Sequence, residues 1–394
     1  MASSGGSVMD CQRDLFQLPA NLVYLNNAYM APLMKTVEAA GSARMQDQRV
    51  PTSFGVEDFF EPPQALRSKF TDLVGGDAPE RIALVPSASY GLSTAAANLS
   101  CPPGKRIVLV DEQFPSNVYP WQRLAKRDGG EVALVAPPTV DQKGAHWNQA
   151  ILDAIDTRTA VVAMPHVHWA DGTVFDLETI GQKCRSVGAA LIIDGTQSVG
   201  AFQFDLARIQ PDALICAGYK WLMGSYGLGL AYLGERFDAG LPLEDNWMHR
   251  KDSHEFASLV NYQPAYRPGA GRYNMGEASN FTYVAMLNAA LDQLLDWDVE
   301  NIAAYAGRLT SLADEALVPL GFRVEDDAFR APHMFGVGLP GELDPLIVAA
   351  QLKQAGISVS VRGASIRVSA HVYNRPEDLL ALRNALSACA TPTN

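Results

Sequence analysis

A lysine lies inside one unusually apolar segment of this sequence, and an aspartate ends another. Lys220 is the only charged residue between Ala213 and Leu233, and Asp194 directly follows the apolar run Ala189–Ile193. Burying an unpaired ammonium or carboxylate costs free energy, so each group is expected to have a partner or a shifted pKa. A lysine with a lowered pKa is an amine nucleophile that can form a Schiff base with a carbonyl compound.

Two further features complete a candidate cofactor pocket. Ser87–Ser89 lie between an apolar run and a helix-compatible segment, and hydroxyl and backbone N–H groups at a helix N-terminus bind phosphate. Phe114 offers a flat apolar face for a ring, and Asp194 offers a carboxylate for a protonated pyridine nitrogen. Together with the Lys220 amine, these groups predict a pocket for pyridoxal 5′-phosphate.

The order of the apolar segments indicates the elements that position these groups. Seven short apolar runs alternate with helix-compatible segments between residues 80 and 235, which is typical of an α/β fold with a mostly parallel seven-stranded sheet. Because ligands bind at the carboxyl ends of strands in such sheets, the residues that follow each run are expected to meet there. The predicted strands are Ile82–Val85, Arg106–Val110, Val132–Ala136, Ala160–Pro165, Ala189–Asp194, Asp212–Ala217 and Gly229–Leu233. The predicted helices between them are Tyr90–Leu99, Tyr119–Arg127, Gln149–Ile155 and Leu177–Val187.

The sequence changes in character after residue 300, where a smaller α+β unit is expected. Its predicted elements are helix Ile302–Leu317, strand Met334–Leu339, helix Leu346–Ala355, strands Ile357–Val361 and Ile366–Ser369, and helix Glu377–Ala388. We therefore expect a flexible tail and N-terminal lid in residues 1–30 and a large cofactor-binding α/β domain in residues 31–290. Residues 291–394, with part of the N-terminal segment, are expected to form a small α+β domain.

The ordered set of these motifs resembles the class V aminotransferase group of fold type I pyridoxal-phosphate enzymes. This group includes cysteine desulfurases, selenocysteine lyases, kynureninase and isopenicillin-N-epimerase-like proteins. The resemblance covers most of the chain, from Tyr24–Ala28 to Arg367–Asn374. It implies that Lys220 is the Schiff-base lysine and proton shuttle, and that Asp194 pairs with the pyridine nitrogen.

The resemblance also implies how the remaining parts of the cofactor are held. Gln197 would hydrogen-bond the phenolic oxygen, and Phe114 would lie where the group stacks a ring on the cofactor. Phosphate contacts are implied for Ala88, Ser89 and Tyr219, and, through the partner subunit of a homodimer, for Ser279 or Asn280.

The same resemblance implies which residues contact the substrate. Arg367 matches the arginine that holds the substrate α-carboxylate, a bidentate task that suits guanidinium better than ammonium. His168 would face the substrate and relay a proton. Asn27 and Ala28 resemble an N-terminal lid over the substrate, and Trp169 would form part of the pocket wall.

The sequence departs from the pattern of the group at three places. The stretch Ser360–Ile366 contains no cysteine, whereas desulfurases carry a nucleophilic cysteine shortly before the carboxylate-binding arginine. Trp169 stands where desulfurases commonly have an asparagine that touches the cofactor, and Ala88 stands in for a frequent threonine. The first difference argues against persulfide chemistry, and the second predicts an altered pocket wall and substrate.

These features predict a pyridoxal-phosphate-dependent enzyme that acts at Cα of an L-α-amino acid, with amino transfer as the expected reaction. A β-lyase that cleaves C–S or similar bonds, or an epimerase, is an alternative. A hypothesis from another class is a metal-dependent hydrolase, in which His166 and His168 alternate along a strand end with Asp171 and Asp194 as oxygen ligands.

Composition limits the partners and the compartment. The 31 basic and 43 acidic residues give a net charge of −12, which disfavours nucleic acids and anionic membranes. The five cysteines show no C-x-x-C spacing, and the N-terminus lacks the pattern of a signal peptide, so a cytoplasmic location is expected. A small-molecule amino-acid substrate and a homodimer with the site near its interface are expected.

Overall fold

The structure is a computed structural model that describes residues 9–341 and 343–390, except for the side chains of residues 314–316. The α-helices of the described residues are α1 (Lys35–Asp47), α2 (Glu57–Leu73), α3 (Ala88–Ala97), α4 (Tyr119–Asp128), α5 (Gly144–Ala154), α6 (Leu177–Val187), α7 (Leu206–Ile209), α8 (Phe281–Trp297), α9 (Val299–Leu317), α10 (Pro345–Gln354) and α11 (Pro376–Ala390). The strands are β1 (Val23–Tyr24), β2 (Ile82–Val85), β3 (Arg106–Val110), β4 (Glu131–Val135), β5 (Thr159–Pro165), β6 (Ala190–Asp194), β7 (Ala213–Ala217), β8 (Gly229–Leu233), β9 (Met334–Gly338), β10 (Ile357–Ser358), β11 (Ser360–Arg362) and β12 (Ser365–Ser369).

The central sheet has seven strands in the order β2-β8-β7-β6-β5-β3-β4. Strands β3, β4, β5, β6 and β7 all run parallel to one another, whereas β8 is antiparallel to both of its neighbours, β7 and β2. All seven predicted strands are present, with ends within two residues of the expected positions. The predicted α/β fold with a mostly parallel seven-stranded sheet is therefore confirmed.

Burial explains why these strands are continuous apolar runs and do not alternate. Every residue of β6 and β7 is buried, because helices cover both faces of the sheet. Helices α3 and α4 pack on one face through Leu92 and Trp121, and helices α6 and α8 pack on the other through Ile180 and Leu287. The edge strand β4 is mostly uncovered, and Leu134 is 52% exposed there.

The C-terminal part forms two further small sheets. Strands β11, β12 and β9 form an antiparallel sheet in that order, and the N-terminal strand β1 pairs in parallel with β10. The expected single strand Ile357–Val361 is thus divided between two sheets. The division of the chain into domains stays a prediction, although the β1–β10 pairing joins the N-terminal segment to the C-terminal region, as that prediction requires.

The sequence patterns did not identify helices α1, α2 and α8, of which α8 packs against both α1 and α2. Between β8 and α8 the regular elements of the chain are short 3₁₀-helices. None of the helices in the described ranges is both long enough and apolar enough to span a lipid bilayer.

Candidate active site

A cavity opens at the carboxyl ends of the parallel strands, where the connecting loops meet. Asp194 ends β6, Lys220 follows β7, and Phe114 follows β3. The cavity is lined by Pro86, Ser87, Ala88, Ser89, Gln113, Phe114, Ser116, Pro165, Val167, Trp169, Asp194, Thr196, Gln197, Ala217, Tyr219, Lys220, Tyr226, Gly227 and Leu228. The topology therefore brings together residues that are up to 142 positions apart in the sequence, from Pro86 to Leu228.

Lys220 belongs to this lining and is buried, with only 7% of its surface exposed. Its Nζ lies 5.5 Å from the ring centroid of Phe114 and 5.6 Å from that of Tyr219. Burial, and next to it the positive charge of Arg367, lowers the pKa of Lys220 to about 8. About a tenth of the amine is therefore neutral and nucleophilic at pH 7, far more than for a lysine with the usual pKa of 10.5.

Asp194 is a buried carboxylate on the wall of the same cavity. The backbone N–H of Thr196 donates to its Oδ1 over 3.0 Å, but burial outweighs this bond and raises the pKa of Asp194. A cation in the cavity would offset the free-energy cost of burying this carboxylate, and a protonated pyridine nitrogen is such a cation.

The start of helix α3 also lines the cavity. Ser87 is the N-cap of this helix, since its Oγ accepts a hydrogen bond from the N–H of Tyr90 over 3.2 Å. The hydroxyls of Ser87 and Ser89 lie 2.8 Å apart. The first N–H groups of a helix have no acceptor within the helix, so Ala88 and Ser89 present donors that suit a phosphate group.

Aromatic side chains form part of the cavity wall. Phe114 is 41% exposed and contacts the edge of Trp169 with ring centroids 5.4 Å apart. Tyr219 packs on Tyr226 at 4.6 Å. The indole N–H of Trp169 donates to the carbonyl of Glu112 over 2.7 Å, which fixes the ring as part of the pocket wall.

Arg367, on strand β12, is almost fully buried, yet part of its guanidinium group lacks hydrogen-bond acceptors in the described part of the chain. Its Nη1 donates to the carbonyl of Trp169 over 2.8 Å, whereas Nε and Nη2 are buried and find no acceptor among the described residues. Burial, and next to it the charge of Arg362, lowers the pKa of Arg367 to about 9. Buried donors without acceptors are costly, and a substrate carboxylate would satisfy both nitrogens.

Gln197 joins the cavity to the N-terminal segment. Its Nε2 donates to the carbonyl of Ala28 over 3.2 Å, and its Oε1 accepts a hydrogen bond from the indole of Trp221 over 2.8 Å. Asn27 accepts a bond from the hydroxyl of Tyr373 through Oδ1. The contact between Trp221 and Gln197 could not be identified from the sequence, because no local pattern marks it.

His168 differs from the expectation that it faces the substrate. The side chain is buried outside the cavity lining, with Nδ1 3.0 Å from Asp171 Oδ1 and Nε2 3.1 Å from the carbonyl of Glu112. Both ring nitrogens are thus engaged within the protein, because the chain turns at Asp171 and directs the ring onto Trp147.

The hypothesis of a metal site at His166 and His168 is not supported. His166 packs against Phe202, and burial lowers its pKa to about 3. Within residues 9–341 and 343–390, no three His, Cys, Asp or Glu side chains are placed to hold one metal ion.

Ser279 and Asn280 do not line the cavity of their own chain. Ser279 Oγ donates to the carbonyl of Phe59 over 3.0 Å, and Asn280 Oδ1 caps helix α8 by accepting from the N–H of Tyr283 over 2.9 Å. Their expected contact with a phosphate in a partner subunit stays a prediction.

The donor set of the cavity fits pyridoxal phosphate. A buried amine, a buried carboxylate and a helix N-terminus are placed around one space. None of the cysteines, which are Cys11, Cys101, Cys184, Cys216 and Cys389, lines this cavity. The residues present can therefore hold the cofactor, but they offer no thiol to take up sulfur.

Curated proteins similar to this chain span nearly its whole length. It is 24% identical over 377 residues to the uncharacterized aminotransferase YcbU of Bacillus subtilis (strain 168), covering 92% of this chain and 96% of that protein. It is 24% identical over 386 residues to isopenicillin N epimerase of Streptomyces clavuligerus, covering 94% of this chain and 96% of that protein.

Solved structures show the same fold. A cysteine desulfurase from Thermococcus onnurineus NA1 has a TM-score of 0.82 at 22% identity, covering 96% of this chain and 98% of that one. A mutant of the cystine C–S lyase C-DES, with glycine covalently linked to its pyridoxal-phosphate cofactor, has a TM-score of 0.83 at 19% identity, covering 95% and 99% of the two chains.

A family model for aminotransferase class-V matches residues 55–382, which is most of the chain. This match, with the fold shared with these solved structures, supports pyridoxal phosphate as the cofactor. The chain belongs to the class V aminotransferase family of fold type I pyridoxal-phosphate enzymes.

Proposed function

We propose that this chain uses pyridoxal phosphate to act at Cα of an L-α-amino acid, and that it transfers the amino group. One observation carries the proposal: the Lys220 amine and the Asp194 carboxylate line one cavity, and Arg367, with two unpaired nitrogens, donates to the carbonyl of Trp169 on the wall of that cavity. The positive charge of Arg367 lowers the pKa of Lys220, so the two cations are close enough to interact.

The roles follow from the chemistry of the side chains. When bound, pyridoxal phosphate supplies a carbonyl group for amines and a ring that accepts electrons from Cα. Lys220 Nζ is the nucleophile that holds the cofactor and the base that accepts the Cα proton. Arg367 orients the substrate by binding its carboxylate, and Asp194 stabilises a proton on the pyridine nitrogen.

Elimination or epimerisation is the second candidate function. Relatives include proteins named isopenicillin N epimerase and cysteine desulfurase, and a structural neighbour is a cystine C–S lyase. The same three side chains would serve a β-lyase or an epimerase, because all three reactions begin with proton removal at Cα. The lack of a cysteine in the cavity lining argues against a persulfide on the protein.

The cofactor assignment is tested by visible absorption spectra after addition of pyridoxal phosphate. We expect a band from the lysine-bound cofactor in the wild-type protein and none in Lys220→Ala. Lys126→Ala is the matched control, because Lys126 lies exposed on helix α4. Absence of the band from the wild-type protein would overturn the proposal.

The reaction type is tested by incubating the loaded protein with a panel of L-amino acids and a 2-oxo acid. Amino transfer yields a new amino acid from the oxo acid. Release of ammonia with a 2-oxo acid would instead establish elimination, and formation of the D-enantiomer would establish epimerisation.

A further inference from the structure

Two hydrogen-bond partners determine which way the Gln197 amide points, because one partner can only donate and the other can only accept. The indole Nε1 of Trp221 can only donate, so the atom 2.8 Å away must be the amide oxygen of Gln197. The carbonyl of Ala28 can only accept, so the atom 3.2 Å away must be the amide nitrogen. A flipped amide would place donor against donor and acceptor against acceptor.

The indole of Trp221 is itself held firmly. It is fully buried, packs edge-on to His333 with ring centroids 4.3 Å apart, and stacks on His371 at 5.7 Å. Gly200, at φ 103°, leaves room for the Trp221 carbonyl, since a Cβ there would collide with that oxygen. Rotation of the indole away from Gln197 would therefore require movement of several packed groups.

The backbone of Gln197 is fixed from the same side. His333 Nε2 lies 2.8 Å from the Gln197 carbonyl and donates to it, and burial lowers the pKa of His333 to about 4, so the ring is neutral at pH 7. The side chain of Gln197 is thus held by Trp221, and its main chain by His333.

The contacts with Trp221 and Ala28 use the oxygen and one N–H of the Gln197 amide, and they do not use its second N–H. Trp221 occupies the oxygen and Ala28 takes one N–H, while Gln197 lines the cavity together with Asp194 and Lys220. The side chains of His168 and Trp169 do not compete for this role, since both nitrogens of His168 and the indole N–H of Trp169 are bonded to protein.

We infer that Trp221 is a positioning residue, which locks the Gln197 amide so that an N–H group, and not the oxygen, is offered to the cofactor. The inference rests on the proposed function, in which pyridoxal phosphate occupies this cavity. An N–H facing the negatively charged ring oxygen of the cofactor stabilises that charge and lowers the proton affinity of the lysine–cofactor linkage. A flipped amide would present an oxygen and raise that affinity.

The test is a pH titration of the visible absorption of the cofactor-loaded protein. Trp221→Phe removes the indole N–H and retains a buried ring, and we expect the titration midpoint to rise by about one pH unit, a tenfold change in proton affinity. Trp147→Phe is the matched control, because Trp147 is equally buried and donates to the Val135 carbonyl, away from Gln197. Its midpoint should equal that of the wild-type protein.

A double-mutant cycle separates positioning from a general packing effect. In a Gln197→Ala background, Trp221→Phe should no longer move the midpoint, because the residue through which Trp221 acts is gone. A midpoint unchanged in the single variant, or an undiminished shift in the Gln197→Ala background, would overturn the inference. Loss of the visible band from the wild-type protein would instead overturn the proposed function.

If Trp221→Phe does not fold, the inference is tested by a measurement on protein that retains Trp221. The sequence has six tryptophans, so ¹⁵N-labelled protein gives a small set of indole N–H signals. In Gln197→Ala, one signal should move upfield and exchange faster with solvent deuterium, while the signal lost in Trp147→Phe stays in place. If no indole signal changes in Gln197→Ala, Trp221 does not hold this amide.

Discussion

At the scale of single residues, the site combines charges that are individually costly to bury. Burial lowers the pKa of both Lys220 and Arg367, the charge of Arg367 lowers that of Lys220 further, and Asp194 is buried with a raised pKa. Such arrangements are common where a protein prepares groups for catalysis, because a bound ligand then supplies the missing countercharge.

The lowered pKa of Lys220 predicts how cofactor attachment depends on pH. The neutral amine is the nucleophile, so attachment should accelerate as pH rises through about 8, and not through the usual value of 10.5. The rate at which the visible band appears in cofactor-free protein, measured from about pH 6 to about pH 9, checks this. A rate that is flat over this interval would contradict it.

Arg367→Lys is predicted to weaken binding of the amino-acid substrate by about 10- to 100-fold. A lysine keeps the charge but cannot form the two parallel bonds of a guanidinium, and a bond to a charged group contributes about 1.5–3 kcal/mol. Spectral titration of the loaded protein with substrate gives the dissociation constant. Arg158→Lys, on an exposed arginine that pairs with Asp156, is the control and should bind normally.

At the scale of elements, the N-cap of helix α3 supports the phosphate end of the cavity. Ser87→Ala is predicted to weaken cofactor affinity about fivefold, since a lost cap costs about 1 kcal/mol and frays the turn that presents the N–H groups. Affinity is measured by titrating cofactor-free protein with pyridoxal phosphate.

A second cap provides the comparison for this prediction. Asp176 caps helix α6 by accepting from the N–H of Thr179 over 3.1 Å, outside the cavity lining. Asp176→Ala should lower the free energy of unfolding by about the same 1 kcal/mol and leave cofactor affinity unchanged. Equal loss of cofactor affinity in both variants would show that Ser87 has no local effect.

At the scale of the whole molecule, the expected homodimer would complete each site. Ser279 lies outside the cavity of its own chain, and large apolar side chains such as Val260 and Tyr262 are exposed nearby in sequence. Light scattering should give twice the 42.5 kDa mass of the chain.

Subunit mixing tests whether the site is shared. If Ser279 serves the partner's cofactor, Lys220→Ala and Ser279→Ala proteins should each have low activity. Random mixing should restore about a quarter of the sites, because about half of the dimers are mixed and each has one intact site. No recovery in a verified mixture of dimers would place Ser279 outside the shared site.

The sequence alone determined the architecture of the sheet and the charged groups of the candidate site. Strands buried on both faces must be continuous apolar runs, and a charge interrupting such a run needs a chemical reason. Lys220, Asp194 and the strands around them were therefore visible in local patterns, and the cofactor followed from their combination.

Only the tertiary structure decided where individual side chains point. Gln197 meets Ala28, 169 residues away in the sequence, and Trp221, 24 residues away. His168 turns out of the cavity because Asp171 and Glu112 provide its partners. These outcomes depend on contacts between remote segments, and a local pattern of residue types carries no information about which remote groups will pack together.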